Sequence, residues 1–332
     1  MKLLLIVGTR PQIIKSIPLI NLANSDEEVD LSIIHTGQHY DYEMTKAFFD
    51  DFSLPDPLIN LDIRKRQDDI QISEMMLSLA LGPYIKEPWD FMIVPGDTNS
   101  ALASALIASK RGIPLAHMES GARSYNMKMP EEVNRRLIDH CSNLLFATTK
   151  NCKKNLLNER VRGKVCFTGD TMLDLFYETR ETVDECSIIE DLSLEDEEYH
   201  LLTLHRPENV DNPQKLAQRL SEMSDMEKVV FPIHPRTRNR LNEFRITPPP
   251  NIQIIKPVGY IEMMTLVKHS KGVATDSGGL QKEAFWSGKL MAVMREKHEW
   301  PETVTGRIED FGYGNASQMI LEAIKNFGRQ QP

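Results

Sequence analysis

Short, unbroken apolar runs that stop at Gly, Thr, Ser or Asp recur along this chain, and each is followed by a stretch with helical spacing. Residues 2 to 7, KLLLIV, form the first; GTRP closes it, and IIKSIPLINLA then carries apolar residues at helical intervals. The pattern returns at VDLSIIHTGQ, at WDFMIVPGDTNS before ALASALIASK, at IPLAHMES and at NLLFATTKNCKKNLLN. A strand that is apolar on both faces must be covered on both, and intervening helices do this over a parallel sheet. After KVCFTGDTMLDLF a second series follows: YHLLTLHRPEN, KVVFPIHPRT, IQIIKPVGY, KGVATDSGG and LMAVMREK. The expected fold class is therefore α/β, with two Rossmann-like domains facing each other across a cleft. A length of 332 residues, 41% of them apolar, suffices for two cores. Between the two series DECSIIEDLSLEDEEY, residues 185 to 199, reads as a solvated surface segment because its charge is high and its periodicity weak.

The bulk numbers exclude several classes. A formal net charge of −9 repels polyanions, so nucleic acid is not an expected partner, and an anionic ligand would need a local cluster of Arg, Lys and helix N-termini. The four cysteines, Cys141, Cys152, Cys166 and Cys186, lie far apart with no paired or zinc-finger spacing, which fits reduced thiols in cytoplasm. The N-terminal run LLLIV is far short of the ~20 apolar residues of a membrane span and precedes no cleavage signal. The chain reads as soluble, cytoplasmic and without a membrane partner. His35 and His39 in HTGQH have a helix-compatible spacing, but Gly37 lies between them and no third ligand follows, so neither metal nor cofactor is expected.

In open parallel sheets ligands collect at the carboxyl ends of the strands, and the chemistry-bearing residues fall there. In VGTRPQIIK a strand ends at Gly8 and Thr9 and a helix opens at Pro11, so free N–H groups, assisted by Arg10 and Lys15, suit phosphate. A plain structural turn explains the same residues. ATDSGGLQKEA offers Ser277, Gly278 and Gly279 before a second helix, with room for a pyrophosphate, and Glu283 further in to accept ribose hydroxyl protons. Here Asp276 reads equally well as a cap. His205 and Arg206 in TLHRPEN, and His234 and Arg236 in PIHPRT, end two more strands as further grips on phosphate, or as solvated side chains. Asp97 in PGDTNS has a helix cap as its ordinary role, whereas Glu119 in HMES ends a strand, where scaffolding explains a carboxylate less well. PEEVNRRLIDH reads as a helix opened by Pro130 with Glu131 and Glu132 in its first turn, where the helix dipole already favours one of them. Together these residues suggest a nucleotide-diphosphate sugar gripped by the second half, with carboxylates of the first half moving a proton on a sugar carbon.

The ordered set GTRPQIIK, TGQHYDYEM, GDTNSALA, HMESGARS, PEEVNRRLID, TLHRPENVDN, PIHPRT and TDSGGLQKEA covers about nine-tenths of the chain and resembles the UDP-N-acetylglucosamine 2-epimerases of the non-hydrolysing type. The resemblance implies the glycosyltransferase-B arrangement of the two domains, usually as a homodimer. The division expected is 1–168 for the domain with the catalytic carboxylates and 169–314 for the UDP-binding domain, with a helix in 315–332 crossing back to the first domain. It also implies a UDP-sugar substrate from which UDP is eliminated to a 2-acetamidoglucal and re-added with the proton on the other face. By motif position Asp97, Glu119 and Glu131 look like the acid/base group and His205 like the phosphate-side catalytic residue; which carboxylate removes the proton stays open. Arg10, Lys15, Arg135, His234, Arg236, Ser277, Gly278, Gly279 and Glu283 fall at substrate-binding positions, and Gln38, His39, Arg66 and Gln67 resemble an activating second UDP-sugar site. The chain departs from the family pattern at Gln12, where Glu is usual, at Ala122, where Leu is usual, and in REKHEWPE, with His298 in place of Thr. Rival readings are the hydrolysing epimerase, an epimerase of a UDP-2,3-diacetamido sugar, a glycosyltransferase and a non-catalytic nucleotide-sugar sensor.

Overall fold

The structure, a computed structural model, describes residues 1–38, 49, 52–63, 68–295 and 300–329. The chain divides into two compact units, Met1–Tyr177 with Glu309–Pro332, and Glu178–Ile308.

The first unit is built on a seven-stranded sheet: β1 (Lys2–Val7), β2 (Asp30–His35), β3 (Ile59–Asn60), β4 (Phe91–Pro95), β5 (Leu115–Ser120), β6 (Leu144–Ala147) and β7 (Lys164–Phe167), in the spatial order β3-β2-β1-β4-β5-β6-β7. Every pairing is parallel. Leu3, Leu4, Leu5 and Ile6 of β1 are completely buried, as the unbroken apolar run requires, each contributing about 1.5–3 kcal/mol relative to exposure. Of these strands β3 escapes a reading of the sequence, since two residues at a sheet edge carry no periodicity.

The second unit has five strands, β8 (His200–Thr203), β9 (Val229–Pro232), β10 (Ile252–Ile255), β11 (Gly272–Thr275) and β12 (Leu290–Val293), all parallel in the order β10-β9-β8-β11-β12. In both sheets the strand order reverses once, at β1/β4 and at β8/β11, and these are the topological switch points.

The two compact units divide at 177/178 and 308/309. Close contacts hold the chain after β7 to the first unit. Gly169 (φ +90°) and Gly312 (φ +99°) bring their backbones so near that a Cβ on either would approach the other's Cα to 2.8 Å. Asp174 then accepts from Ala316 N, Ser317 N and Ser317 Oγ at 3.0, 2.7 and 2.6 Å, satisfying the open N-terminus of the Ala316–Gly328 helix. That helix lies on the first unit: Phe327 meets Phe91 edge-on at 5.5 Å, and Lys325 pairs with Asp26 at 2.5 Å. One expectation is corrected: the acidic stretch 185–199 is not simply solvated. It includes the Ile188–Asp191 helix, and Ile188, Leu194 and Tyr199 are buried, with the Tyr199 hydroxyl donating to Leu266 O at 2.7 Å. Three well-spaced apolar anchors suffice to dock a segment whose average composition is polar. Among the described residues no helix is long and apolar enough to cross a membrane.

Candidate active site

In the first unit the switch point is closed by tight packing. A Cβ on Gly8 would fall 2.1 Å from Ser100 Oγ and 2.2 Å from Thr36 Oγ1, so this position after β1 accepts no side chain. The helix Arg10–Asn24 starts immediately, with Thr9 at its N-cap and Pro11 in its first turn. Its buried Gln12 receives Gly8 N–H and donates to Pro95 O, both at 2.8 Å, and so ties the ends of β1 and β4 together. Glu, usual here in the resembling family, supplies no donor for Pro95 O when ionised.

Lys15, one turn into the same helix, passes Gly96 and meets Glu119 at 2.6 Å, both side chains being largely buried. Glu119 adopts φ +62°, a left-handed conformation that costs a non-glycine residue about 1–2 kcal/mol, and the register of β5 against β6 shifts at this point. Strain of this kind persists where the surroundings over-determine it, which is typical of a functional side chain.

Asp97 follows β4, whose Pro95 lies in register with Met118 of β5, so Asp97, just past the end of β4, and Glu119, in the last residues of β5, lie at the ends of adjacent strands. It is not the helix cap; Thr98 performs that task for the Asn99–Arg111 helix, accepting from Ala101 N. The Asp97 carboxylate is instead held by Arg135, Nη2 at 2.5 Å and Nε at 3.1 Å. Arg135 comes from the Pro130–Cys141 helix, whose first-turn glutamates have separate tasks. Glu132 is completely buried and accepts from Ser124 N, Ser124 Oγ and Arg136 Nε, a structural role. Glu131, in the same turn, is partly exposed. Arg10 is also partly exposed, in the first turn of the helix that carries Lys15.

Behind these groups lies a buried network that gave no signal in the sequence. The His117 Nε2 contacts Gly96 O at 2.9 Å and its Nδ1 contacts Asp139 at 2.7 Å; Asp139 also receives Arg123, which in turn pairs with Glu159. Burial pushes the Asp139 carboxyl upward, but His117 and Arg123 outweigh it and hold it below its ordinary value. Of the suspected activating site, Gln38 accepts from Ser100 N and Ser100 Oγ at 3.0 and 2.6 Å, over the start of the Asn99–Arg111 helix. His39, Arg66, Gln67 and His298 lie outside the described residues.

In the second unit the switch point is organised by Asp276, which the sequence offered only as a cap. The N-cap of the Gly278–Trp286 helix is Ser277. Asp276 is fully buried and receives His205 N, Arg206 N, Asn209 Nδ2 and, at 3.0 Å, His205 Nδ1. Burial raises its pKa, yet the hydrogen bonds and charge of His205, with Asn209 and the Arg206 N–H, bring it down to about 2. A carboxylate bonded to Nδ1 fixes the ring's orientation and leaves Nε2 for a ligand. The His205 side chain is 36% exposed, and its ring lies 5.8 Å from that of His234.

Ser277, Gly278 and Gly279 open the adjacent helix, and Glu283 is buried one turn on. Trp300 and Arg295, both buried and both in the REKHEWPE stretch, back Gly278, and Lys282 lies over the Trp300 ring at 4.3 Å. His234 caps the Pro235–Phe244 helix through Nδ1, which accepts from Arg236 N. Arg236 is engaged by Asp211, which Arg240 also meets at 3.0 Å, so the structure ties this arginine into a surface ion-pair cluster. Among the described residues no group of three or more His, Cys, Asp or Glu side chains is gathered to hold a metal ion.

Comparison with known proteins places this arrangement. The family model described as UDP-N-acetylglucosamine 2-epimerase matches residues 22–331. A UDP-N-acetylglucosamine 2-epimerase homolog of Methanococcus maripaludis is 40% identical over 98% of this chain and 92% of its own length. The UDP-2,3-diacetamido-2,3-dideoxy-D-glucuronate 2-epimerase of Pseudomonas aeruginosa is 39% identical over the same shares. Among solved structures, the Methanocaldococcus jannaschii UDP-GlcNAc 2-epimerase in complex with UDP-GlcNAc and UDP matches with a TM-score of 0.89 at 36% identity, over 98% of this chain and 100% of that one.

Proposed function

The chain belongs to the UDP-N-acetylglucosamine 2-epimerase family, and on that premise we propose that it interconverts UDP-N-acetylglucosamine and UDP-N-acetylmannosamine by the non-hydrolysing route. The observation that carries the reading is the pair Asp97 and Glu119, two carboxylates at the carboxyl ends of the adjacent strands β4 and β5, each held against a cation. Binding a nucleotide sugar does not call for such a pair; taking a proton from a carbon and returning it does.

In this reading a carboxylate removes the hydrogen of sugar carbon 2, the electron pair forms the C1–C2 double bond, and the C1–O bond breaks as UDP leaves. Re-addition of UDP to the 2-acetamidoglucal, with the proton delivered to the opposite face, yields the epimer. Asp97, Glu119 and Glu131 form the acid/base group. His205, held by Asp276, and the N-terminus that carries Ser277, Gly278 and Gly279 stabilise the departing diphosphate, with Arg10, Lys15 and His234 assisting and Glu283 receiving the ribose. Homodimerisation, implied by the resemblance, and a cytoplasmic location, suggested by the unpaired spacing of the cysteines, belong to the same proposal, and sedimentation reads the former.

The test is incubation with UDP-N-acetylglucosamine in deuterated water, followed by NMR. Deuterium at carbon 2 of both epimers, with only traces of free UDP, is the expected result. Stoichiometric UDP and free N-acetylmannosamine would assign the hydrolysing reaction instead. Inertness toward this sugar with turnover of a UDP-2,3-diacetamido sugar would move the substrate, a shift that the Pseudomonas relative at 39% identity makes worth including.

A further inference from the structure

The three successive carbonyls that lead into Asp97 are each held by a buried side chain from a different element. Pro95 O receives Gln12 Nε2 at 2.8 Å from the Arg10–Asn24 helix. Gly96 O meets His117 Nε2 at 2.9 Å from β5; because a carbonyl only accepts, this nitrogen is the donor. Asp97 O receives Asn134 Nδ2 at 3.0 Å from the Pro130–Cys141 helix. None of the three donors is more than 5% exposed. Gly96 itself has φ +68° and donates its N–H to Met118 O at 3.0 Å, which adds a fourth fixed contact to the three carbonyls of this turn.

A turn that needs only to connect a strand to a helix does not require this. The Asn99–Arg111 helix already has its own cap in Thr98, and the core beneath β4 is formed by Met92, Ile93 and Val94. The donors converge instead on the backbone that aims one carboxylate. We propose that Gln12, His117 and Asn134 are positioning residues for Asp97, setting the backbone from which its carboxylate reaches the reacting proton while Arg135 sets the carboxylate itself. The proposal rests on the acid/base reading of Asp97. Misplacing a catalytic group by about 1 Å costs up to a hundredfold in rate, so modest movements of this turn are amplified in turnover.

The experiment is a pair of double-mutant cycles. Gln12→Met and Asn134→Leu remove the donors at nearly constant volume, and each is made alone and together with Asp97→Asn. Wild-type deuterium incorporation at carbon 2 is measured first; its absence would sink the epimerase reading and is thereby distinguished from failure of this proposal. With that exchange present, each single variant is expected to lose about tenfold or more in kcat while keeping KM and UDP affinity. In the Asp97→Asn background the same substitutions should then cost less than about twofold. Equal losses in both backgrounds, unchanged kcat in the single variants, or failure of both single variants to fold would each overturn the proposal, since the contacts would then be scaffold rather than positioning. If only one variant folds, its cycle decides.

Discussion

Replacing Asp276 by Asn removes one charge at the centre of the second switch point and leaves the side-chain shape unchanged. The carboxyl sits at about 2 in the folded chain against an ordinary 3.8. Such a difference corresponds to about 2 kcal/mol of folding stability, because only the ionised form accepts from two backbone N–H groups, Asn209 and His205 together. A depressed carboxyl pKa contributes stability that is complete above 3.8 and is lost as the pH falls toward 2. The Asp276→Asn variant should therefore be about 2 kcal/mol less stable than the parent at pH 7. Roughly half of that difference should remain at pH 3, and little near pH 2. Urea unfolding of a Trp89→Phe parent follows the second unit specifically, since Trp286 and Trp300 are then the remaining tryptophans and both are buried in that unit. Turnover should fall as well. The Asn amide must offer an N–H to His205 Nδ1, which forces the opposite ring tautomer and changes what Nε2 presents to a leaving diphosphate. A destabilisation equal at pH 7 and pH 3, or none at pH 7, would refute the assignment of the stabilisation to the carboxylate charge.

Other substitutions test the first unit. Glu119→Gln and Glu131→Gln should each lower turnover by about a hundredfold or more while UDP affinity, measured by calorimetry, is kept; parent-like turnover in both would remove them from the acid/base group. Glu119→Gly should be more stable in thermal unfolding than Glu119→Ala by about 1 kcal/mol despite the entropic cost of glycine elsewhere, since φ +62° strains alanine and not glycine; the reverse order would show that the backbone there carries no strain. Gly8→Ala should cost about 2 kcal/mol in urea unfolding, because its Cβ has to displace the buried hydroxyls of Ser100 and Thr36; a neutral effect would mean the turn shifts freely.

The elements of this fold are written locally, and so they were legible. Apolar runs such as KLLLIV are strands whether or not their neighbours are known, and Gly, Pro and Asp at their ends mark the turns. The same locality brought Asp97, Glu119, His205 and Ser277 to the carboxyl ends of strands and Lys15 into the helix that follows β1, on the side of a parallel sheet where ligands collect. Local pattern failed where a role depends on distant partners. Asp276 reads as a cap because its own neighbours are turn-formers, yet it is defined by His205 and Arg206, about 70 residues away and next to it only because β8 pairs with β11. Helix-dipole reasoning does not tell Glu131 from Glu132, and only the fold shows that Ser124 and Arg136 claim the second.

By itself, then, the sequence determined an α/β chain of two doubly wound units with acids in one and an anion grip in the other, because periodicity and turn chemistry act over a few residues. Strand order was decided only in three dimensions. It places β1 beside β4 and β8 beside β11, and from it follow the Gln12, His117 and Asn134 contacts on the Asp97 turn and the ion pairs that hold each carboxylate. The physical reason is that hydrogen bonds and ion pairs between buried groups depend on which elements become neighbours, and that choice is made by packing the whole core.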